Sequence, residues 1–156
     1  MNDIKKDFPV LVNNPSLIYL DTCATALKPQ IVLDKLNEYY EKYGVNVNRG
    51  VYGLSYRATL EYEETRTITA KFLNASQDEI VFTKGASNGL NLVASSYGLN
   101  FINEGDEIIT SELEHHSNVI PWQNVAKKKK ATLKFIELDS TGRITVEAFK
   151  KVLNEK

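Results

Sequence analysis

The chain has one cysteine, one tryptophan, one methionine and two histidines in 156 residues. A single cysteine excludes an internal disulfide. The two histidines are neighbours with no third Cys or His at ligand spacing, which argues against a structural zinc. Charge of one sign is also lacking: 19 Lys and Arg stand against 20 Asp and Glu, a net charge of −1, so nothing favours nucleic acid or an anionic membrane surface. No apolar run approaches the ~20 residues of a spanning helix. The opening Met1-Asn-Asp-Ile-Lys-Lys-Asp7 has no hydrophobic segment of the secretory kind. These absences predict a cytoplasmic protein and set aside the Asn74-Ala-Ser76 sequon, which has meaning only on secretion. There is no Pro/Gly/Ser-rich linker, no internal repeat and no low-complexity tract beyond Lys127–Lys130, whose lysines suit the negative end of a helix.

What is present is an ordinary globular balance, 42% apolar and 25% charged, long enough to bury roughly 68–70% of the unfolded surface in one domain. Short β-branched apolar runs alternate with longer segments of helical period, the pattern of βα units. Strands are predicted at Leu17–Leu20, Ile80–Thr83, Glu107–Thr110 and Thr132–Leu138. Their apolar character on both faces suits buried parallel strands. Helices are predicted from Pro29 to Gly44, from Leu54 to Leu73, from Ala86 through Tyr97, over Asn118–Lys129 and over Thr145–Asn154. The second places Leu54, Ala58, Tyr62, Thr65, Ile68 and Phe72 on one face. The fold class expected is α/β, a mainly parallel sheet with flanking helices.

Two segments carry chemistry. Ile80 through Leu90 reads as strand, tight turn and helix N-terminus, with Gly85 and Gly89 framing Ala86, Ser87 and Asn88. Free amides at a helix start hold an anion such as phosphate, and the Ser87 hydroxyl either adds a donor or caps the helix. Ser111 through Asn118 follows a predicted strand, where α/β folds bind ligands, and contains both His115 and His116. A histidine so placed suits proton transfer or a structural hydrogen bond. Cys23 follows the first predicted strand and reads as a small packed hydrophobe rather than a nucleophile. Arg49, in the glycine-flanked Asn46-Val-Asn-Arg-Gly50, either binds an anion or braces its turn.

Four blocks, in order, give the chain a close resemblance to a known family. They are Tyr19-Leu-Asp-Thr-Cys-Ala-Thr-Ala-Leu-Lys-Pro29; Asn48-Arg-Gly-Val-Tyr-Gly-Leu-Ser55 with Ala58-Thr59; Ile80 through Ala94; and Glu114-His-His-Ser-Asn-Val-Ile-Pro-Trp-Gln123. Together they resemble the N-terminal part of the class V aminotransferase-like enzymes that use pyridoxal 5'-phosphate, most closely the SufS-type cysteine desulfurases. The resemblance runs from about Phe8 to the C-terminus, and the Glu-His-His block is its most specific part. It implies residues 1–16 as an N-terminal arm and 17–156 as a partial cofactor-binding large domain of fold type I.

By that resemblance, Ala86 and Ser87 cradle the cofactor phosphate, His115 stacks on the pyridine ring and assists proton transfer, and His116 is structural. Asn48 and Arg49 lie at the substrate site or the dimer partner's site. Two positions depart from the family pattern: Ala86 offers an amide without a hydroxyl, and Asn48 replaces a common histidine. No metal is implied. The resemblance also implies that a later part of the fold supplies the pyridine-pairing Asp, the cofactor-anchoring Lys, the persulfide Cys and a carboxylate-binding Arg. Lys84 and Cys23 match none of these roles. The expectation is therefore a portion of an enzyme that takes sulfur from L-cysteine for iron–sulfur assembly. It is expected to be inactive alone, and to associate with itself or with a complementary chain, with a sulfur-acceptor protein as a further partner. The other readings are a selenocysteine lyase or related lyase, and a non-catalytic scaffold.

Overall fold

A computed structural model describes residues 4–156, which divide into two compact units, the first ending at Ile80 and the second beginning at Val81. Residues 1–3 of the expected N-terminal arm lie outside the described residues.

The first unit is helical. A 3-10 turn (Ile4–Asp7) precedes α1 (Pro9–Asn13), then come α2 (Gln30–Glu38), a π-helical continuation (Tyr39–Tyr43) and the long α3 (Gly53–Leu73). Proline 29 stands just outside α2 at its N-cap, where its missing N–H costs nothing, and Gly44 ends the π segment. Asn74 closes α3 in the left-handed conformation at φ 54°, so the chain turns at the asparagine of the sequon. The α2 and α3 faces meet around Tyr43, which is buried. The Arg57 guanidinium lies 4.2 Å from the centre of its ring and the Lys35 ammonium 5.5 Å away, both close enough for cation–π attraction. Glu38 and Glu61 bind the same two cations, Lys35 at 3.3 and 3.1 Å and Arg57 at 3.4 and 3.9 Å. Above this network the facing helices leave an open, mostly apolar hollow of about 960 Å³ lined by Ile31, Val32, Leu36, Tyr62 and Ile68.

Between the helices, the loop carrying Asn48 and Arg49 is tied to the start of α3. The Ser55 side chain is fully buried and donates to the Asn46 carbonyl at 2.7 Å. Thr59 donates to the Ser55 carbonyl at 2.8 Å and accepts from the Asn48 N–H at 2.9 Å. Asn48 sits at φ 74°, a left-handed conformation that asparagine tolerates better than most residues. Gly50 is required for another reason: a Cβ there would run into the Ser55 side chain.

The second unit holds the sheet. Helix α4 (Ala86–Val93) continues through a π segment (Ala94–Gly98) into the short α5 (Leu99–Phe101). Strand β1 (Glu107–Ser111) then leads through a 3-10 turn (His116–Asn118) to α6 (Ile120–Lys129), β2 (Thr132–Ile136) and α7 (Val146–Val152). β1 and β2 are parallel, in register from Glu107 opposite Thr132 to Ser111 opposite Ile136. Gly98 lets α6 approach, since a Cβ there would crowd Val125 and Trp122. Lys130 ends α6 in the left-handed conformation, and the lysine run is put to local use: Lys129 donates to the Leu99 carbonyl and Lys130 pairs with Glu104.

The sequence predicts four strands, and the described residues contain two. Leu17–Leu20 and Ile80–Thr83 are not strands, because a strand requires a neighbour for its alternate N–H and C=O groups. The amides of Leu17 and Ile80 bond locally instead, to the carbonyls of Asn14 and Gln77. The apolar side chains of the first segment are correspondingly uncovered, Ile18 at 79% and Leu20 at 88% exposure. Cys23, expected to pack as a small hydrophobe, is likewise exposed. The predicted stripe of α3 is covered only in part: Ala58 is buried and Tyr62 half-buried, whereas Leu54, Ile68 and Phe72 are exposed, Phe72 at 87%.

Glu107, at the head of β1, joins the strand pair to the end of the chain. It pairs with Lys134 of β2 at 2.6 Å and accepts from Asn154, and the Lys134 ammonium followed by the Asn154 amide holds its carboxyl below the ordinary value. A depressed folded-state value means that this contribution is complete above the titration of the unfolded carboxyl and fades as pH falls through the folded value. Glu107→Gln is therefore expected to lower stability at neutral pH in urea denaturation, with the difference from the parent shrinking as pH falls below the ordinary carboxylate range. Gly50→Ala should cost about 1–3 kcal/mol in the same measurement, as expected for forcing a methyl into packed space.

Candidate active site

In the second unit, the chain enters α4 through Thr83, Lys84 and Gly85. Gly85 is the N-cap residue and lies at φ 150°, a conformation open to glycine and strained for other residues. The turn is braced from both sides: the Thr83 hydroxyl donates to the Gly85 carbonyl at 3.2 Å, and the Lys84 N–H donates to Asn88 Oδ1 at 3.2 Å. Because the cap has no side chain, no hydroxyl or carboxylate occupies the helix start. The amides of Ala86 and Ser87 in the first turn have no carbonyl one turn back to bond. Ser87 is the second residue of α4 rather than its cap, so its exposed hydroxyl is not spent on capping. Free amides, the positive end of a helix and an available hydroxyl together fit a phosphate group.

Helix α4 packs directly against the 3-10 turn His116–Asn118, the turn that His115 begins. His115 is its N-cap: the Ser117 N–H donates to His115 Nδ1 at 3.1 Å and the Ser117 hydroxyl lies 2.9 Å from the same nitrogen. The Asn118 N–H closes the turn on the His115 carbonyl at 2.8 Å. The Asn118 side chain donates to Glu114 at 2.8 Å and accepts from the Trp122 indole N–H at 3.2 Å, so α6 holds the turn from below. His115 is exposed and free to present a ring face; His116 is also exposed, its ring 6.1 Å from that of His115 and inclined by 70°.

Beneath the loop, at the carboxyl end of β1, lies a hollow of about 240 Å³ lined by Ser111, Glu114, Asn118, Trp122 and Phe149. Ser111 is 3% exposed and its hydroxyl has no hydrogen-bond partner, a polar feature that strand patterning does not reveal. Among the described residues no group of three or more His, Cys, Asp or Glu is placed to hold a metal, and no helix is long and apolar enough to cross a membrane.

The structure thus brings Ala86, Ser87 and His115 into neighbouring segments of one unit. Asn48 and Arg49 belong to the other, both exposed on the pinned loop before α3. The residues that sequence reasoning passed over are the supporting ones. Ser117, Asn118 and Trp122 fall inside a quoted motif, and their spacing of one and four residues on a turn-then-helix was the available signal.

The aminotransferase class-V family profile matches residues 18–156. A probable cysteine desulfurase of Synechocystis sp. is 50% identical over 157 residues, covering 98% of this chain and 37% of the relative. The apo structure of a cysteine desulfurase from Thermococcus onnurineus superposes with a TM-score of 0.87 at 46% identity, over 96% of this chain and 36% of that one. The cysteine desulfurase CsdA from Escherichia coli superposes at 0.81 with 34% identity, over 97% and 38%. The chain therefore spans little more than a third of the length of the relatives it matches. Its architecture is a small parallel sheet with flanking helices, and the neighbours it superposes on are fold type I enzymes. With the profile extending over all but the first residues, the chain belongs to the aminotransferase class-V family, and its similarity within that family is to cysteine desulfurases.

Proposed function

We propose that this chain supplies the phosphate cradle and the stacking histidine of a SufS-type cysteine desulfurase that uses pyridoxal 5'-phosphate. The observation that carries the proposal is the uncapped start of α4, a helix that packs against the turn begun by His115, in a chain half identical to a probable cysteine desulfurase. In the complete enzyme, the sulfur of L-cysteine passes to a cysteine thiolate as a persulfide and L-alanine is left. The persulfide serves iron–sulfur assembly in the cytoplasm through a sulfur-acceptor protein.

Pyridoxal phosphate, when bound, supplies the electron sink for charge developing at the substrate Cα. The amides of Ala86 and Ser87 and the Ser87 hydroxyl hold its phosphate. His115 would stack on its ring and assist movement of a proton. Arg49 and Asn48 bind an anionic group at the substrate site or reach a partner subunit, from a loop whose backbone is already fixed by Ser55 and Thr59. This chain contains no Ser-x-His-Lys segment to anchor the cofactor covalently. The chain by itself is therefore inactive.

Its uncovered apolar surfaces, Leu20 and Phe72 among them, together with a sheet of only two strands among the described residues, suit association with a second copy or with a chain carrying the rest of the fold.

Titration of the chain with pyridoxal 5'-phosphate, followed by the cofactor's absorbance band, is expected to show binding that inorganic phosphate displaces. Ser87→Ala should weaken that binding by about tenfold or more, the loss of a hydrogen bond to a charged group; unchanged affinity would remove Ser87 from the cradle. Purified alone, the chain should release no sulfide from L-cysteine and should sediment as more than a monomer. With a chain carrying the remaining length of its relatives, and a thiol reductant added to discharge the persulfide, it should release sulfide. Sulfide from the isolated chain, or a strictly monomeric species, contradicts the reading. Preference for selenocysteine in the reunited protein would make it a selenocysteine lyase instead, and failure to bind cofactor in any combination would make it a scaffold.

A further inference from the structure

We infer that the peptide N–H of Ser117 locks His115 in the tautomer that carries its proton on Nε2, with Ser117, Asn118 and Trp122 acting as positioning residues. The ring then meets its reactants as a hydrogen-bond donor. This rests on the reading that His115 faces the cofactor, and it specifies how the ring can act there.

A neutral imidazole has one donor nitrogen and one acceptor nitrogen. The nitrogen bonded to Ser117 is decided by that partner, because a peptide N–H can only donate. At 3.1 Å from the Ser117 nitrogen, Nδ1 presents its lone pair, and the single proton of the neutral ring sits on Nε2. The Ser117 hydroxyl, 2.9 Å from Nδ1, can adopt either role and donates to the same lone pair. His115 uses its ring to cap the 3-10 turn in the way that Ser or Asp caps a helix.

The turn itself is oriented by a second donor-only group. The Trp122 indole N–H must donate, which assigns the facing atom of Asn118 as its carbonyl oxygen and leaves the Asn118 amide nitrogen to donate to Glu114. The Asn118 backbone N–H returns to the His115 carbonyl. The donor directions therefore run without ambiguity from α6 through Asn118 to Glu114, and from Ser117 to the ring. In this arrangement Nε2–H is the ring's free polar group, suited to an oxygen of the cofactor or of the substrate. A second proton has to enter at Nδ1 and break the Ser117 bond, because both nitrogens of an imidazolium donate. Proton transfer through His115 is thereby coupled to release of its cap.

The test uses the ¹⁵N-labelled 156-residue chain without cofactor, with His116→Gln to leave one histidine. At a pH where the ring is neutral, Nε2 is expected to show the protonated signature and Nδ1 the unprotonated one. A scalar coupling should also be detected across the N–H···N bond from the Ser117 amide to Nδ1. Ser117→Ala, which keeps the peptide N–H, should preserve the coupling. Trp122→Phe, which removes the indole donor while keeping an aromatic ring, should reduce the ratio of the two tautomers by about twofold or more. A proton on Nδ1, or no coupling to a well-resolved Ser117 amide, overturns the inference, and an unchanged ratio in Trp122→Phe removes Trp122 from it. These readouts need no cofactor. Their failure leaves the proposed function standing, whereas failure to bind pyridoxal phosphate with the coupling intact defeats that function and not the tautomer.

Discussion

Parallel strands cannot be joined by a tight turn; the chain must travel back along the sheet before it can pair again. In the second unit that return is made by α6, and the residues between the end of β1 and the start of α6 are left projecting from the carboxyl end of the strand. The Glu114-His-His-Ser-Asn segment is in that position because of the crossover. The same crossover carries Trp122 on α6 to a place where its indole N–H can fix Asn118. The position of His115 therefore depends on the pairing of two five-residue strands and on the helix that links them.

In the first unit a different device gives a similar outcome. Two helices that bury little large apolar surface are joined by a charge network around one buried tyrosine, with Arg57 and Lys35 against the ring and Glu38 and Glu61 binding both cations. Ion pairs of this exposure contribute little each. The buried Ser55 and the hydroxyl of Thr59 then fix Asn48 and Arg49 by backbone hydrogen bonds, which depend on main-chain geometry and leave both side chains free for a ligand.

Both units share a mismatch between apolar composition and actual burial. The large side chains Ile18, Leu20, Val51 and Phe72 are mostly exposed, while half of the buried apolar residues described are alanines, beside Tyr43, Ile80, Val125 and Ile136. The segments at Leu17–Leu20 and Ile80–Thr83 belong to the same picture. Their composition is that of strands, and their backbones lack neighbours to pair with among the described residues.

Helix positions were legible because helical signals are local. Pro29 and Gly44 mark the ends of one helix, Asn74 ends another, and the apolar period of α3 predicts its length. The two candidate loops were legible for the same reason, since the glycines around Ala86 and Ser87 and the run from Glu114 to Asn118 are local in sequence. Whether an apolar run becomes a strand depends instead on a partner distant in sequence, which is why two of four were absent. The sequence by itself determined the glycine-framed turn before α4, the histidine loop and the helical frame, because each is written in residues a few positions apart. Only the tertiary structure decided that Gly85 rather than Ser87 occupies the cap, that α4 lies against the turn of His115, and that a peptide N–H holds Nδ1. Those outcomes follow from hydrogen-bond geometry and packing that exist only once the chain is folded.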